Sequence, residues 1–112
     1  MAVSESYREY VLDQLGRVEP VTARAMFGGV GLYAHGLFFA LIGDDRLYFK
    51  VDDLNRPDFE ERGMVPFAPF EDKSQVMQYY EVPGEVLDDV DELSEWMHNA
   101  VSVARRKRTK RR

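Results

Sequence analysis

The sequence predicts an α+β domain: a two-layer sandwich in which a mainly antiparallel sheet of about five strands is covered on one face by three helices. Three observations lead there. Apolar residues recur at helical spacing near both ends of the chain, short β-rich runs separated by glycine and aspartate stand between them, and the connections are too short for repeated βαβ crossovers. The expected order of elements is α-β-β-β-α-β-β-α.

In the first helix, Tyr7, Tyr10, Val11 and Leu15 recur at helical spacing, Ser6 with Glu9 resembles a capping box, and Gly16 suits the end. From Ala23 to Val51 the pattern changes to Ala25-Met26-Phe27, Val30 to Ala34, Leu37 to Ile42 and Arg46 to Val51, punctuated by Gly28-Gly29, His35-Gly36 and Gly43-Asp44-Asp45. Arg46 to Val51 alternates, with Leu47, Phe49 and Val51 on one face and Arg46, Tyr48 and Lys50 on the other, as a half-buried antiparallel strand does. Leu37 to Ile42 is apolar throughout and reads as central.

Asn55-Arg56-Pro57 opens a short helix, because proline in a first turn gives up an N–H that has no partner there, and Gly63 is placed to close it. Val65 to Phe70 contains Pro66 and Pro69, so it is an edge strand or an extended loop. Gln75 to Val82 is a better strand, with Val76, Gln78, Tyr80 and Val82 alternating against Met77, Tyr79 and Glu81. Asp89 with Glu92 then caps a last helix whose stripe is Leu93, Trp96, Met97, Ala100 and Ala104. With helices on one side of the sheet, the other side carries some of Tyr33, Tyr48, Lys50, Tyr79 and Gln78, a polar and aromatic surface suited to contact.

At 112 residues, 45% hydrophobic and 12% aromatic, the chain has the length and composition of one globular unit. It has no cysteine, which excludes disulfides, thiolate chemistry and cysteine-ligated metal. No apolar run approaches a membrane span, and the N-terminus lacks a signal-peptide pattern, so a cytoplasmic location with no membrane partner is expected. The net charge of −5 is unevenly spread. Seven of the residues Arg105, Arg106, Lys107, Arg108, Thr109, Lys110, Arg111 and Arg112 are basic, leaving 8 basic against 20 acidic side chains before them. The body, residues 1–104, is therefore −12, and the tail, residues 105–112, is +7 and expected to be disordered by self-repulsion.

Each chemical motif has a simpler structural reading. Glu95-x-x-His98 has di-metal half-site spacing, but such a site needs a second copy, and the other histidine, His35, sits in a turn signal. No metal is expected. Gly28-Gly29-Val30-Gly31 matches no phosphate loop and precedes a strand, so it reads as a turn or bulge, and no cofactor is expected. The acidic pairs Asp44-Asp45, Asp52-Asp53, Glu60-Glu61 and Asp88-Asp89 fall at turns and helix ends, as solvated surface. Ser74 and Ser102 have no histidine base in sequence context, so no catalytic residue is assigned.

Arg24-Ala25-Met26-Phe27-Gly28-Gly29-Val30-Gly31-Leu32-Tyr33, Phe39-Ala40-Leu41-Ile42, Leu47-Tyr48-Phe49-Lys50-Val51 and Tyr79-Tyr80-Glu81-Val82-Pro83 together resemble the N-terminal domain of the TfoX/Sxy competence regulators. The resemblance covers nearly the whole chain before the tail. It implies a helix, a strand meander, a helix, two further strands and a closing helix. It also implies regulation without catalysis, since two-domain members promote expression of DNA-uptake genes together with the cyclic-AMP receptor protein. Those members continue into a second, helical domain at the position where this chain carries its basic run.

The leading expectation is a non-enzymatic regulatory module that meets a protein partner, a transcription factor or a second copy, through the face around Tyr33, Tyr48, Lys50 and Tyr79. One alternative is non-specific nucleic-acid association through Arg105, Arg106, Lys107, Arg108, Lys110, Arg111 and Arg112. A small-ligand binder or enzyme of unspecified chemistry is the other.

Overall fold

A computed structural model describes residues 3–26, 28–67 and 78–110. The order is α1 (Glu5–Gly16), β1 (Thr22–Met26), β2 (Gly29–Ala34), β3 (Leu37–Gly43), β4 (Arg46–Lys50), α2 (Arg56–Glu61), β5 (Tyr79–Glu81), α3 (Gly84–Asp88) and α4 (Val90–Lys110). The α+β class and five antiparallel strands are as expected. Among the described residues four strands precede α2, one follows it and α3 adds a fourth helix, while parts of the expected runs Val65 to Phe70 and Gln75 to Val82 lie outside the described residues. The segment around Val65 to Phe67 is not a full strand because Pro66 supplies only an isolated bridge to Tyr80.

The sheet order is β1-β2-β3-β4-β5, each strand antiparallel to the next. Tight reversals impose that order. His35 and Gly36 between β2 and β3, and Asp44 and Asp45 between β3 and β4, all have positive φ, the backbone of a two-residue turn whose twist matches the strands it joins. His35 is thus a turn residue, as its place beside Gly36 predicts. Between β2 and β3 the register slips at Leu32 and Tyr33, so that Leu32 faces Ala40 while Tyr33 faces Phe38. The extra residue is Phe39, and the bulge lets consecutive residues Phe39 and Ala40 both join the core.

That core lies between the sheet and the helices. Val30, Leu32, Phe39, Ile42, Leu47, Phe49 and Val51 meet Val11 and Leu15 of α1, Phe59 of α2, Val86 and Leu87 of α3, and the stripe of α4. The stripe is buried as its spacing predicts, and Trp96 stands edge-on to Phe59 at 4.6 Å between centroids. The buried Gln14 spends its amide N–H on the Leu87 carbonyl, at 2.9 Å, which joins α1 to α3 without leaving a polar atom unpaired.

Helix ends follow local chemistry. Asp89 accepts from the backbone N–H groups of Asp91 and Glu92, the cap expected for α4. The cap of α1 is Ser4, whose hydroxyl accepts from Tyr7 N–H at 3.3 Å, so Ser6 lies within the helix. Gly63, at φ 73°, closes α2 as expected, with Met64 N–H donating to the Phe59 carbonyl. No interruption falls at Arg105: α4 runs on to Lys110, so Arg105 to Lys110 are helical where disorder is expected. The helix continues because Val101, Val103 and Ala104 are still buried just before the basic run begins.

Candidate functional site

The sheet face away from the helices carries a second, smaller hydrophobic cluster of Leu41, Tyr48, Phe67 and Tyr79, with Phe38 packed against it. Strand alternation places these side chains, because Leu47, Phe49 and Val51 face the core and send Tyr48 and Lys50 the other way. Phe67 arrives from the segment beside β5. Its N–H donates to the Tyr79 carbonyl at 2.7 Å, and Glu81 N–H donates to the Val65 carbonyl at 3.2 Å. Tyr48 and Phe67 then meet at 4.7 Å.

Rings and cations continue across the face. Tyr33 stacks on Phe38 at 5.2 Å, its partner across the strands, and Phe38 meets Tyr79 at 5.7 Å. The Lys50 ammonium lies 5.3 Å from the Phe38 ring centre and 5.6 Å from that of Tyr79. At the other end the Arg24 guanidinium lies 5.5 Å from the centre of Tyr33. These are cation–π distances, which hold flexible basic side chains against rings. Burial pushes the Tyr79 hydroxyl above its usual range, reinforced by nearby Tyr33. The Tyr48 hydroxyl is raised by burial and then by the Glu81 charge, so both remain neutral donors at physiological pH.

Tyr33, Tyr48, Lys50 and Tyr79 therefore share one face, as strand parity predicts, but the face is not open throughout. Tyr48 and Tyr79 are only 9% and 6% exposed in the Phe67 cluster, whereas Tyr33 and Lys50 are half-buried and Arg24 is exposed. Sequence reasoning missed Arg24, Phe38, Leu41 and Phe67. A run that is apolar at every position from Leu37 to Ile42 carries no polar mark of which side is out, and the bulge shifts its parity. Gln78 is exposed at the start of β5 and accepts from Arg56 at 3.3 Å.

The remaining polar residues are drawn into structure. His35 Nε2 contacts Glu19 Oε1 at 2.5 Å, and His98 Nε2 contacts Glu19 Oε2 at 3.4 Å, so both histidines of the chain converge on one carboxylate after α1. The contacts are direct, and among the described residues no group of three or more His, Asp or Glu is arranged to hold a metal ion. Glu95 is exposed on α4. Asp88 accepts from the Tyr10 hydroxyl, Glu60 from the Tyr80 hydroxyl, and Asp53 pairs with Arg56 at 2.6 Å. Asp44 and Asp45 form, with Arg46 and Tyr48, a shallow polar hollow. Gly28 has φ 77°, the turn geometry expected of it. Ser74 lies outside the described residues.

Within the basic run, Arg105 and Arg108 are exposed while Arg106 turns back to the body, its Nε and Nη2 donating to Asp52 Oδ2 at 3.0 and 2.7 Å. Lys107 is partly buried, Lys110 ends the helix, and Arg111 and Arg112 lie outside the described residues. For the Asp52 carboxyl, burial acts to raise the pKa. Hydrogen bonds from Arg106 and from the Leu54 and Asn55 backbone, with the Arg106 charge, outweigh it and hold the group below its usual value. A depressed carboxyl stabilises the fold above its unfolded pKa and loses that contribution as pH falls through the folded one. Urea unfolding is therefore expected to lose stability below about pH 4, and Asp52→Asn to remove that part of the slope. Since the pair is partly exposed, the difference should stay below about 1 kcal/mol. A wild-type slope retained in Asp52→Asn would assign the effect to other carboxylates.

Among the described residues no helix is long and apolar enough to cross a membrane. Compared with known proteins, the family model described as the TfoX N-terminal domain matches residues 13–104 of this 112-residue chain, from the middle of α1 into α4. A search of curated proteins gives no match.

Proposed function

The chain belongs to the TfoX N-terminal domain family, and from that premise we propose that it is a non-enzymatic regulatory module of the competence-regulator type. It acts by binding a protein partner, of the transcription-factor class, through the outer face of the sheet. The observation that carries this reading is the line Arg24, Tyr33, Phe38, Lys50 and Tyr79, which lies outside the main core. Rings with polar tips and cations held against them are the composition of interface anchors, with large contact area and few rotamers left to order.

A second reading is non-specific contact with nucleic acid through the basic end of α4, favoured by the continuation of the helix through it, which presents Arg105 and Arg108 on a regular surface. One experiment separates the two: affinity capture from the native cell with wild type, Tyr33→Ala, and the triple variant Arg105→Gln, Lys107→Gln, Arg108→Gln. A protein held by wild type and the triple variant but depleted at least about tenfold by Tyr33→Ala, the scale of an interface anchor, is the expected result. Nucleic acid recovered by wild type and lost only in the triple variant would replace the first reading with the second.

A further inference from the structure

We infer that the partner presents an extended, acidic segment, which adds a strand to the free edge of β1 and sets a carboxylate on Arg24. This rests on the outer face being the contact surface and supplies the chemistry of what binds there. The two edges of the sheet are not equivalent. Beside β5, residues 65–67 already bond to the strand through Phe67 N–H and the Val65 carbonyl. β1 pairs only with β2 among the described residues, so alternate backbone N–H and C=O groups along it face outward, the template that strand addition uses. The surface flanking this edge is the less buried half of the outer face, with Arg24 exposed and Met26, Tyr33 and Phe38 half-buried.

Charge selects the occupant. Arg17, Arg46, Arg56, Arg62 and Arg106 each sit on a carboxylate of this chain. Arg24 has the Tyr33 ring instead, and no carboxylate lies within ion-pair distance among the described residues. In a body of 20 acidic and 8 basic side chains, that leaves an exposed, ring-supported guanidinium whose N–H fork suits a carboxylate from outside. A second copy fits poorly. Arg24 is the central residue of Thr22–Met26, so a full two-fold pairing of two β1 edges sets Arg24 against Arg24, and any slip that avoids this shortens a five-residue ladder. Nucleobases fit poorly too, since Tyr33 is stacked on Phe38 beneath Arg24, and Phe38 carries the Lys50 ammonium.

The test uses two labelled seven-residue peptides of alternating valine and threonine, one with three glutamates on one face of the strand and the other with lysines at those positions. Binding to the full chain is read by fluorescence anisotropy. The glutamate peptide is expected to bind at least tenfold more tightly than the lysine peptide, and Arg24→Glu to reverse the order. Amide shifts on binding should concentrate at Thr22 to Met26. Equal affinities, no binding of either peptide, or a preference unchanged by Arg24→Glu would overturn the inference. The cell capture, repeated with Arg24→Glu, keeps the two proposals apart. A partner released by Tyr33→Ala and retained by Arg24→Glu leaves the outer-face reading intact and removes this one, whereas release by both supports both.

Discussion

Phe59→Ala is expected to lower the free energy of unfolding by about 3–5 kcal/mol, the range for deleting a fully buried aromatic ring. Phe59 is the buried residue of α2, 1% exposed, and its ring meets Trp96 of α4 edge-on and Tyr80 of β5 at 6.0 Å. Three elements meet on that ring. Its removal leaves a cavity whose walls belong to separate helices and a strand, which cannot all collapse inward together. Since domains of this size are stable by about 5–15 kcal/mol, the loss takes a large share of the total. Urea unfolding followed by Trp96 fluorescence measures it directly, because the reporting indole lines the cavity. Leu54→Ala is the control: Leu54 is 74% exposed, and its change should stay within about 0.5 kcal/mol. If the two variants unfold at the same urea concentration, α2 is not anchored by Phe59.

The second large effect belongs to Gly29→Ala, expected to cost about 3 kcal/mol, against about 1 kcal/mol for Gly31→Ala. A methyl group on Gly29 collides with the carbonyl oxygen of Ile42 in β3, which is backbone and cannot turn aside without breaking the ladder between β2 and β3. On Gly31 the same methyl meets the thioether of Met26 and the edge of Phe38, and methionine has rotamers in reserve. For a domain of about this length each kcal/mol moves the melting temperature by about 4–8 °C, so calorimetry resolves the pair easily. Equal melting temperatures would show that the strands are free to separate at Gly29.

Much of this fold was legible because its elements carry period and punctuation together. The alternation from Arg46 to Val51, the stripe from Leu93 to Ala104 and the turns at His35-Gly36 and Asp44-Asp45 each state one local structure and find it. Misreadings arose where tertiary contacts decide. Gly84 to Asp88, to which the sequence pattern assigns no element, is helical because Val86 and Leu87 bury in the core shared with α1 and α4. Positive charge from Arg105 onward argues for disorder, but a helix nucleated over the preceding turns extends at little further cost. At the candidate site, Tyr33, Tyr48, Lys50 and Tyr79 were legible from strand parity. Phe38 and Phe67 were not, since a bulge in β3 and a proline bridge beside β5 bring them into the group, and Arg24 joins from β1 only through the reach of its guanidinium to the Tyr33 ring.

The sheet order that repeats the sequence order has a kinetic meaning. With every strand beside its predecessor and turns of two residues closing two of the hairpins, β1 to β4 form by local zipping, in which little loop entropy opposes each step. The element that covers β3 and β4 is α4, at the far end of the chain, and it packs on α1 and α3 as well. During synthesis the meander therefore leaves the ribosome with the apolar side of β3 and β4 uncovered until α4 follows. Assembly is quick at the start and commits only at the end.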